Sequence, residues 1–430
     1  MKKILLLSLI LFNINTYAQD KLATNLTDYI NSIIANNPKA KGNDDYVSPT
    51  EQALTNFENV ILKIVNGDYS GAAGDASIIG YKLIEITDNS HSPSKVSYVL
   101  RSISTNYWGT FVFAKDPKRT KLIIQCPHPH HDYNTGKQGI YVFDKVEAYA
   151  YFVSGTHRCN SSVFSDCSGT TSACSGDGTY EPYKISDQAH NVNNTFQRAT
   201  EVIETNLDEP IFLQLHGFAQ GSSDPYLIMS NSTEKDPQGT DYLSLLKDAL
   251  LVEDNVLTFK IAHFDKDWDR LTATTNTQGR YINGSSDPCG SSSAYNSARF
   301  IHIEQEKDRL RATETGWEKM ANAVAAVFPE DAPTSVKEEL KIVNDNLTVS
   351  CYPNPFNSSA KIIINTNKSQ NVRVELYNVV GEQIKTIYNG NINPGSYKFD
   401  LEANDISSGI YFVRVVTGKE VSSLKILLLK

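Results

Sequence analysis

A mixed α/β domain followed by a small all-β sandwich is the fold class that the sequence predicts, and three observations carry it. Between residues 20 and 328, strand-like apolar runs alternate with amphipathic helical patterns, which indicates helices packed on a mixed sheet. From about residue 350 the texture changes to short alternating runs, separated by turn residues at roughly ten-residue intervals, as in an antiparallel sandwich. Composition admits both: of 430 residues, 40% are hydrophobic, 10% aromatic and 21% charged, unlike a disordered or membrane-embedded chain.

Taken in order, Lys2 and Lys3 precede an apolar run from Ile4 to Phe12, followed by polar residues and Ala18. That is the layout of a secretory signal peptide over residues 1–18, with cleavage after Ala18. The run is shorter than the roughly 20 residues a membrane-spanning helix needs, and no later stretch qualifies. Residues 19–328 then form one large domain. Ser48 reads as a helix cap with Pro49 at the first helical position, and Leu54, Phe57, Val60, Ile61 and Ile64 recur at helical spacing. Strands are expected at 97–102, 110–114, 122–126, 148–153, 211–215, 227–229 and 256–261, and helices at 189–206, 242–251 and 317–327. Residues 329–349, with Pro329 and Pro333, read as a linker with a helical turn at 336–340. Residues 350–430 are the β-sandwich.

The net charge of -9 argues against a nucleic-acid partner, because phosphate neutralisation needs a basic surface. Six cysteines in an exported chain favour disulfides. Cys159, Cys167 and Cys174 crowd one Ser/Gly/Thr-rich loop, and Cys289 lies in another. The expected pattern pairs two members of the first loop and ties the third to Cys289. Cys126, inside a strand run, is a further candidate as a thiol nucleophile.

All nine histidines lie between His91 and His302. The strand Leu122–Cys126 runs into Pro127-His128-Pro129-His130-His131-Asp132, and the strand Ile211–Leu215 runs into His216-Gly217. Ligands in open α/β sheets bind beyond the carboxyl ends of strands. Two strands delivering histidine there point to one zinc ion on His128, Asp132 and His216, with His131 as an alternative ligand. Arg158, with Asn160, stands after a third strand and is a candidate to grip a substrate carboxylate. Ser186-Asp187-Gln188-Ala189-His190 is either a helix cap or part of the site. Glu304 shares a strand face with His302 and is a candidate general base, or else a salt-bridge partner for Arg309 or Arg311.

Two resemblances follow from these motifs. Tyr352-Pro353-Asn354-Pro355, Leu376-Tyr377-Asn378 with Gly381, Gly409-Ile410-Tyr411 and the terminal Lys425 to Lys430 resemble the C-terminal sorting domain of the type IX secretion system of Gram-negative bacteria. That resemblance implies passage across the outer membrane through the type IX machinery, to the cell surface or the medium. The order Pro127-His128 to Asp132, Thr156-His157-Arg158 with Asn160, Leu215-His216-Gly217, then Ile303-Glu304 with Leu310-Arg311 is similar to the N-formylglutamate amidohydrolase-like group, which is related to the zinc carboxypeptidase fold. It implies zinc on His128, a nearby carboxylate and His216, Arg158 and Asn160 on a substrate carboxylate, and Glu304 as base or proton shuttle. Zinc carboxypeptidases place the first histidine and the acid about three residues apart. Asp132 stands four beyond His128, which keeps His131 open as the substitute.

The function expected from the sequence is therefore a secreted metal-dependent hydrolase that cleaves an amide or peptide bond in a substrate with a free carboxylate, such as a small peptide, an acyl-amino acid, a γ-glutamyl polymer or a peptidoglycan-derived stem. The alternatives are a non-catalytic secreted or cell-surface binding protein with a structural or adventitious metal site, and a metal-dependent phosphatase or nuclease, for which these motifs supply few carboxylates.

Overall fold

The computed structural model describes residues 20–331, 341–344, 347–352, 354, 356–403, 405–418 and 420–428. The signal segment with its cleavage site, the helical turn at 336–340, Pro353, Pro355 and the last two residues lie outside the described residues. Between Glu330 and Asp331 the chain divides into two compact units.

The first unit opens with β1 (Asp20–Ala23) and three helices, α1 (Leu26–Asn36), α2 (Glu51–Val65) and α3 (Tyr69–Ile78). An antiparallel run follows: β2 (Tyr81–Asp88), β3 (Lys95–Ser102) and β4 (Thr110–Ala114). Next come β5 (Arg119–Cys126), α4 (Thr135–Val146), β6 (Ala148–Val153), the two-residue strands β7 (Thr170–Thr171) and β8 (Glu181–Pro182), α5 (Thr195–Asn206) and β9 (Ile211–Gly217). The unit closes with β10 (Leu227–Ser230), α6 (Tyr242–Glu253), β11 (Phe259–Ile261), α7 (Thr277–Ile282), β12 (Phe300–Gln305), α8 (Lys307–Leu310) and α9 (Glu314–Val327). Ten strands form one mixed sheet in the order β1-β2-β3-β4-β6-β5-β9-β12-β10-β11, as the α/β reading requires. No helix among the described residues is long and apolar enough to cross a membrane.

The four neighbours β6, β5, β9 and β12 run parallel, so their carboxyl ends share one edge of the sheet. Side chains alternate between the faces of a strand, and the sequence uses that alternation. Ile124, Leu213, Ile301 and Ile303 pack under α1, α4, α6 and α9. On the other face Ile123, Phe212 and Phe300 pack under α2, α5 and α7. Towards the carboxyl edge that second face turns polar, through Gln125, Gln214, His216, His302 and Glu304, all buried. Each central strand thus starts as core and ends as site.

Helix α4 holds this edge from behind. Its Gly139 lies so close to β5 that a Cβ there would fall 2.3 Å from Cys126 Sγ. Cys126 is a packing residue: its Sγ lies 3.2 Å from the Thr135 carbonyl oxygen, and burial pushes the thiol well above the ordinary range, the reverse of what a nucleophile needs.

Two helix starts differ from expectation. Thr50, not Ser48, caps α2, accepting from the Ala53 N–H. The helix expected from Ala189 begins at Thr195, because Asn194 supplies the cap and the preceding residues serve the site. The disulfides are Cys159–Cys174 and Cys167–Cys289, the expected pattern. Cys159–Cys174 closes a 15-residue separation, so the paired change Cys159→Ser with Cys174→Ser is expected to lower unfolding free energy by about 3 kcal/mol, measured by denaturant titration.

The second unit consists of β13 (Lys341–Asn344), β14 (Leu347–Tyr352), β15 (Ser359–Thr366), β16 (Gln370–Asn378), β17 (Gln383–Ile392), β18 (Gly395–Glu402), β19 (Gly409–Thr417) and β20 (Glu420–Leu428). They form two four-stranded antiparallel sheets, β13-β14-β15-β18 and β17-β16-β19-β20. Val349, Ile362 and Ile364 from one meet Val374, Leu376, Val413 and Ile426 from the other in a shared core, consistent with a β-sandwich.

Candidate metal centre

Beyond β5 the chain turns tightly, with the Asp132 N–H donating to the His128 carbonyl, so that the side chains of residues four apart meet. The parallel neighbour β9 brings His216 beside them. His128 Nδ1 and His216 Nδ1 each lie 3.3 Å from the same oxygen, Asp132 Oδ2, and all three side chains are buried.

The outer hydrogen bonds settle which ring nitrogens face inward. Asp187 Oδ1 accepts from His128 Nε2 at 2.8 Å, and a carboxylate can only accept, so Nε2 carries the proton. For His216 the chain of reasoning starts at the backbone. Asn276 Oδ1 accepts from the Gly279 N–H as the cap of α7, which makes Asn276 Nδ2 the donor to Gln214 Oε1 at 2.6 Å. Gln214 Nε2 donates in turn to Gln125 Oε1 and Gln278 Oε1. Gln214 Oε1 is therefore an acceptor, and His216 Nε2 donates to it at 2.7 Å. Both Nδ1 lone pairs are thereby left on the side of the Asp132 carboxylate, whose Oδ2 makes no hydrogen bond among the described residues.

Three lone-pair donors converging at one buried point are best stabilised by a cation among them. The two separations from Asp132 fit one: a tetrahedral zinc ion with bonds of about 2.0–2.1 Å separates adjacent ligand atoms by about 3.3 Å. The fixed Nε2–H bonds are the outer-shell support that metal-bound histidines need. Burial and Arg158 work against charge on His128, but Asp187 and Asp132 outweigh them and raise its pKa. Burial holds His216 down to about 4. Asp132, although burial opposes its charge, is kept ionised well below the usual range by the two rings.

Arg158 reaches the same place from the loop after β6. Its NH2 meets Asp187 Oδ2 at 2.5 Å, its NH1 donates to His128 Nδ1 at 3.4 Å, and its buried Nε has no partner among the described residues. Glu304 stands beside His216 in the β9–β12 register. It pairs with neither arginine considered for it: Arg309 binds Asp254, and Arg311 donates to the carbonyls of Gln305, Tyr133 and Phe218. Burial and the charge of Asp132 push the Glu304 carboxyl up to about 8 in the metal-free chain.

These groups line a cavity of about 570 Å³. Its walls are residues 170–173, tied down by the two disulfides, and residues 269–275, which precede α7. The second wall was not anticipated. It reads as an unremarkable Thr-rich loop, and its links to the centre, through the cap Asn276 and through Thr275 on Tyr183 beside His190, are long-range.

Two expectations change. Asn160 is not a substrate contact: its Nδ2 donates to the Ala40 carbonyl and Asp45 Oδ2, and its Oδ1 accepts from the Tyr46 N–H. Its amide is spent on the loop after α1. His131, the substitute ligand, turns its ring edge-on to His157 at 5.3 Å, and Asp132, not His131, completes the set with His128 and His216. Asp187, left open as a cap, is the shared acceptor for His128, His190 and Arg158.

Comparison with known proteins bears on the second unit. Residues 350–429 match the family model of the secretion system C-terminal sorting domain. Those residues are a type IX sorting domain, which engages the type IX secretion machinery, and the protein is secreted or displayed at the cell surface. No curated protein matches the chain. Among solved structures it is similar to dimeric latent PorU from Porphyromonas gingivalis, at 21% identity over 19% of this chain and 9% of that one, with a TM-score of 0.18. It is also similar to PorZ, a surface component of the type IX secretion system of the same organism, at 18% identity over 19% and 11%, with a TM-score of 0.15. An endo-beta-1,4-mannanase from Thermotoga petrophila matches at 10% identity over 54% and 59%, also with a TM-score of 0.15. The chain thus spans about a tenth of the first two proteins, and likenesses this low carry no argument about the first unit.

Proposed function

We propose that this protein is a secreted zinc-dependent hydrolase that cleaves an amide or peptide bond in a small peptide or acyl-amino-acid substrate with a free carboxylate. The observation that carries the reading is the convergence of His128 Nδ1, Asp132 Oδ2 and His216 Nδ1, each ring held by an outer acceptor. Two imidazoles and one carboxylate suit zinc. When bound, zinc supplies Lewis acidity and lowers the pKa of coordinated water towards neutrality.

The remaining work falls to the chain. Glu304 Oε2, buried and without a hydrogen-bond partner among the described residues, takes a proton during attack and returns it to the leaving amine. Arg158, oriented by Asp187, turns its remaining donors to the substrate carboxylate or to the oxyanion that develops at the scissile carbonyl. The two loop walls enclose the substrate and exclude water. The order of the motifs, similar to that of N-formylglutamate amidohydrolases, supports the same reaction class.

The purified chain is expected to release amine from members of a panel of N-acyl amino acids and short peptides, to lose this activity on chelation and to regain it with zinc. A zinc-loaded chain that turns over nothing on the panel would contradict the hydrolase reading and leave a metal-binding surface protein.

A further inference from the structure

Beside the three-residue centre, the same cavity holds two further buried side chains able to ligate a metal. His302 and Glu304 occupy alternate positions on β12 and so share a face. The His302 ring lies 4.4 Å from that of His216, and one potential ligand atom from each of His216, His302 and Glu304 falls within 4.8 Å of the others. His302 is 4% exposed and Glu304 7%, yet His302 Nδ1 and Glu304 Oε2 have no partner among the described residues. The two side chains do not satisfy each other either, since His302 Nε2 stands 3.8 Å from Glu304 Oε1, too far for a hydrogen bond. Each side chain thus carries a buried polar atom without a partner among the described residues, and the nearest atoms of the two stand at a separation that one ion between them can fill.

We infer that the cavity floor holds a second divalent cation, of the zinc class, on His302 and Glu304 beside the His128, Asp132 and His216 centre. An imidazole nitrogen with a carboxylate oxygen selects a borderline ion such as zinc. His216 cannot serve both positions, because its Nδ1 faces Asp132 and its Nε2 is bonded to Gln214. The second ion therefore has two protein ligands against three for the first, and binds more weakly. This inference rests on the metal reading above and deepens it: an ion on Glu304 withdraws the proton carrier, so zinc beyond one equivalent inhibits the hydrolase.

Zinc binding to the untagged full chain, measured by equilibrium dialysis with metal analysis, is the test. Wild type is expected to bind two equivalents, the second at least tenfold more weakly. His302→Gln and Glu304→Gln are each expected to bind one, at the affinity of the first. A wild type that binds one equivalent overturns the second position and leaves the first centre standing. A wild type that binds none overturns both. Two equivalents retained in both variants place the second ion elsewhere and also overturn the inference.

Discussion

His216→Ala is expected to strip the purified protein of its zinc and of all zinc-dependent turnover. Removing an outer-shell partner of a metal ligand typically weakens binding by about 10- to 100-fold, and His216 is the ligand itself. The loss should exceed that range, so that metal analysis after gel filtration finds less than a stoichiometric ion. The fold should tolerate the change. His216 sits at the carboxyl end of β9, beyond the core contacts of Phe212 and Leu213, and its outer acceptor Gln214 keeps the bonds from Asn276 and to Gln125 and Gln278. Unfolding measured by circular dichroism should therefore stay cooperative while the metal is lost. A variant that keeps a full equivalent of zinc would remove His216 from the centre.

Glu304→Gln separates binding from chemistry. Positioned acid–base groups contribute about 100- to 10,000-fold to rate, and a fall of that size in kcat is expected, with the tight zinc equivalent retained. The amide preserves the shape of the side chain. Glu304 makes no ion pair with an arginine that the change would break, since Arg309 and Arg311 are engaged elsewhere. A loss of rate accompanied by loss of the first ion would instead make Glu304 one of its ligands.

How far the sequence announced this arrangement depends on the element. The parallel strands were legible because Leu122–Cys126 and Ile211–Leu215 are apolar runs that end abruptly in histidine, and the register of parallel strands then brings those ends together. Helix α4 was not legible. It is preceded by Asn134, at φ 63° and with no side-chain cap bond, and it carries two glycines, Gly136 packed against Pro129 and Gly139 against Cys126 of β5.

Asn160 misled for a different reason. Next to Arg158 in the sequence it looked like a second substrate contact, but the disulfide at Cys159 lies between them, and the two side chains point to different tasks, one to Asp187 and one to Asp45. Gln214 was hidden inside a strand read as core. Its function is to fix a tautomer, and that emerges only when the hydrogen bonds are followed back to the N–H of Gly279. Asp187 stands 59 residues from His128, a separation no motif encodes, because it is set by the course of the disulfide-tied loop. The sorting domain was the most legible part, since its motifs are local in sequence and match the family model over residues 350–429.

The central claim is that two Nδ1 nitrogens and one carboxylate oxygen close on a single ion. Anomalous diffraction at the zinc edge, from crystals grown with one equivalent of zinc, tests it most directly. The account predicts a peak about 2.0–2.2 Å from His128 Nδ1, His216 Nδ1 and an Asp132 oxygen. A peak on other residues, or none in a zinc-saturated crystal, would contradict it.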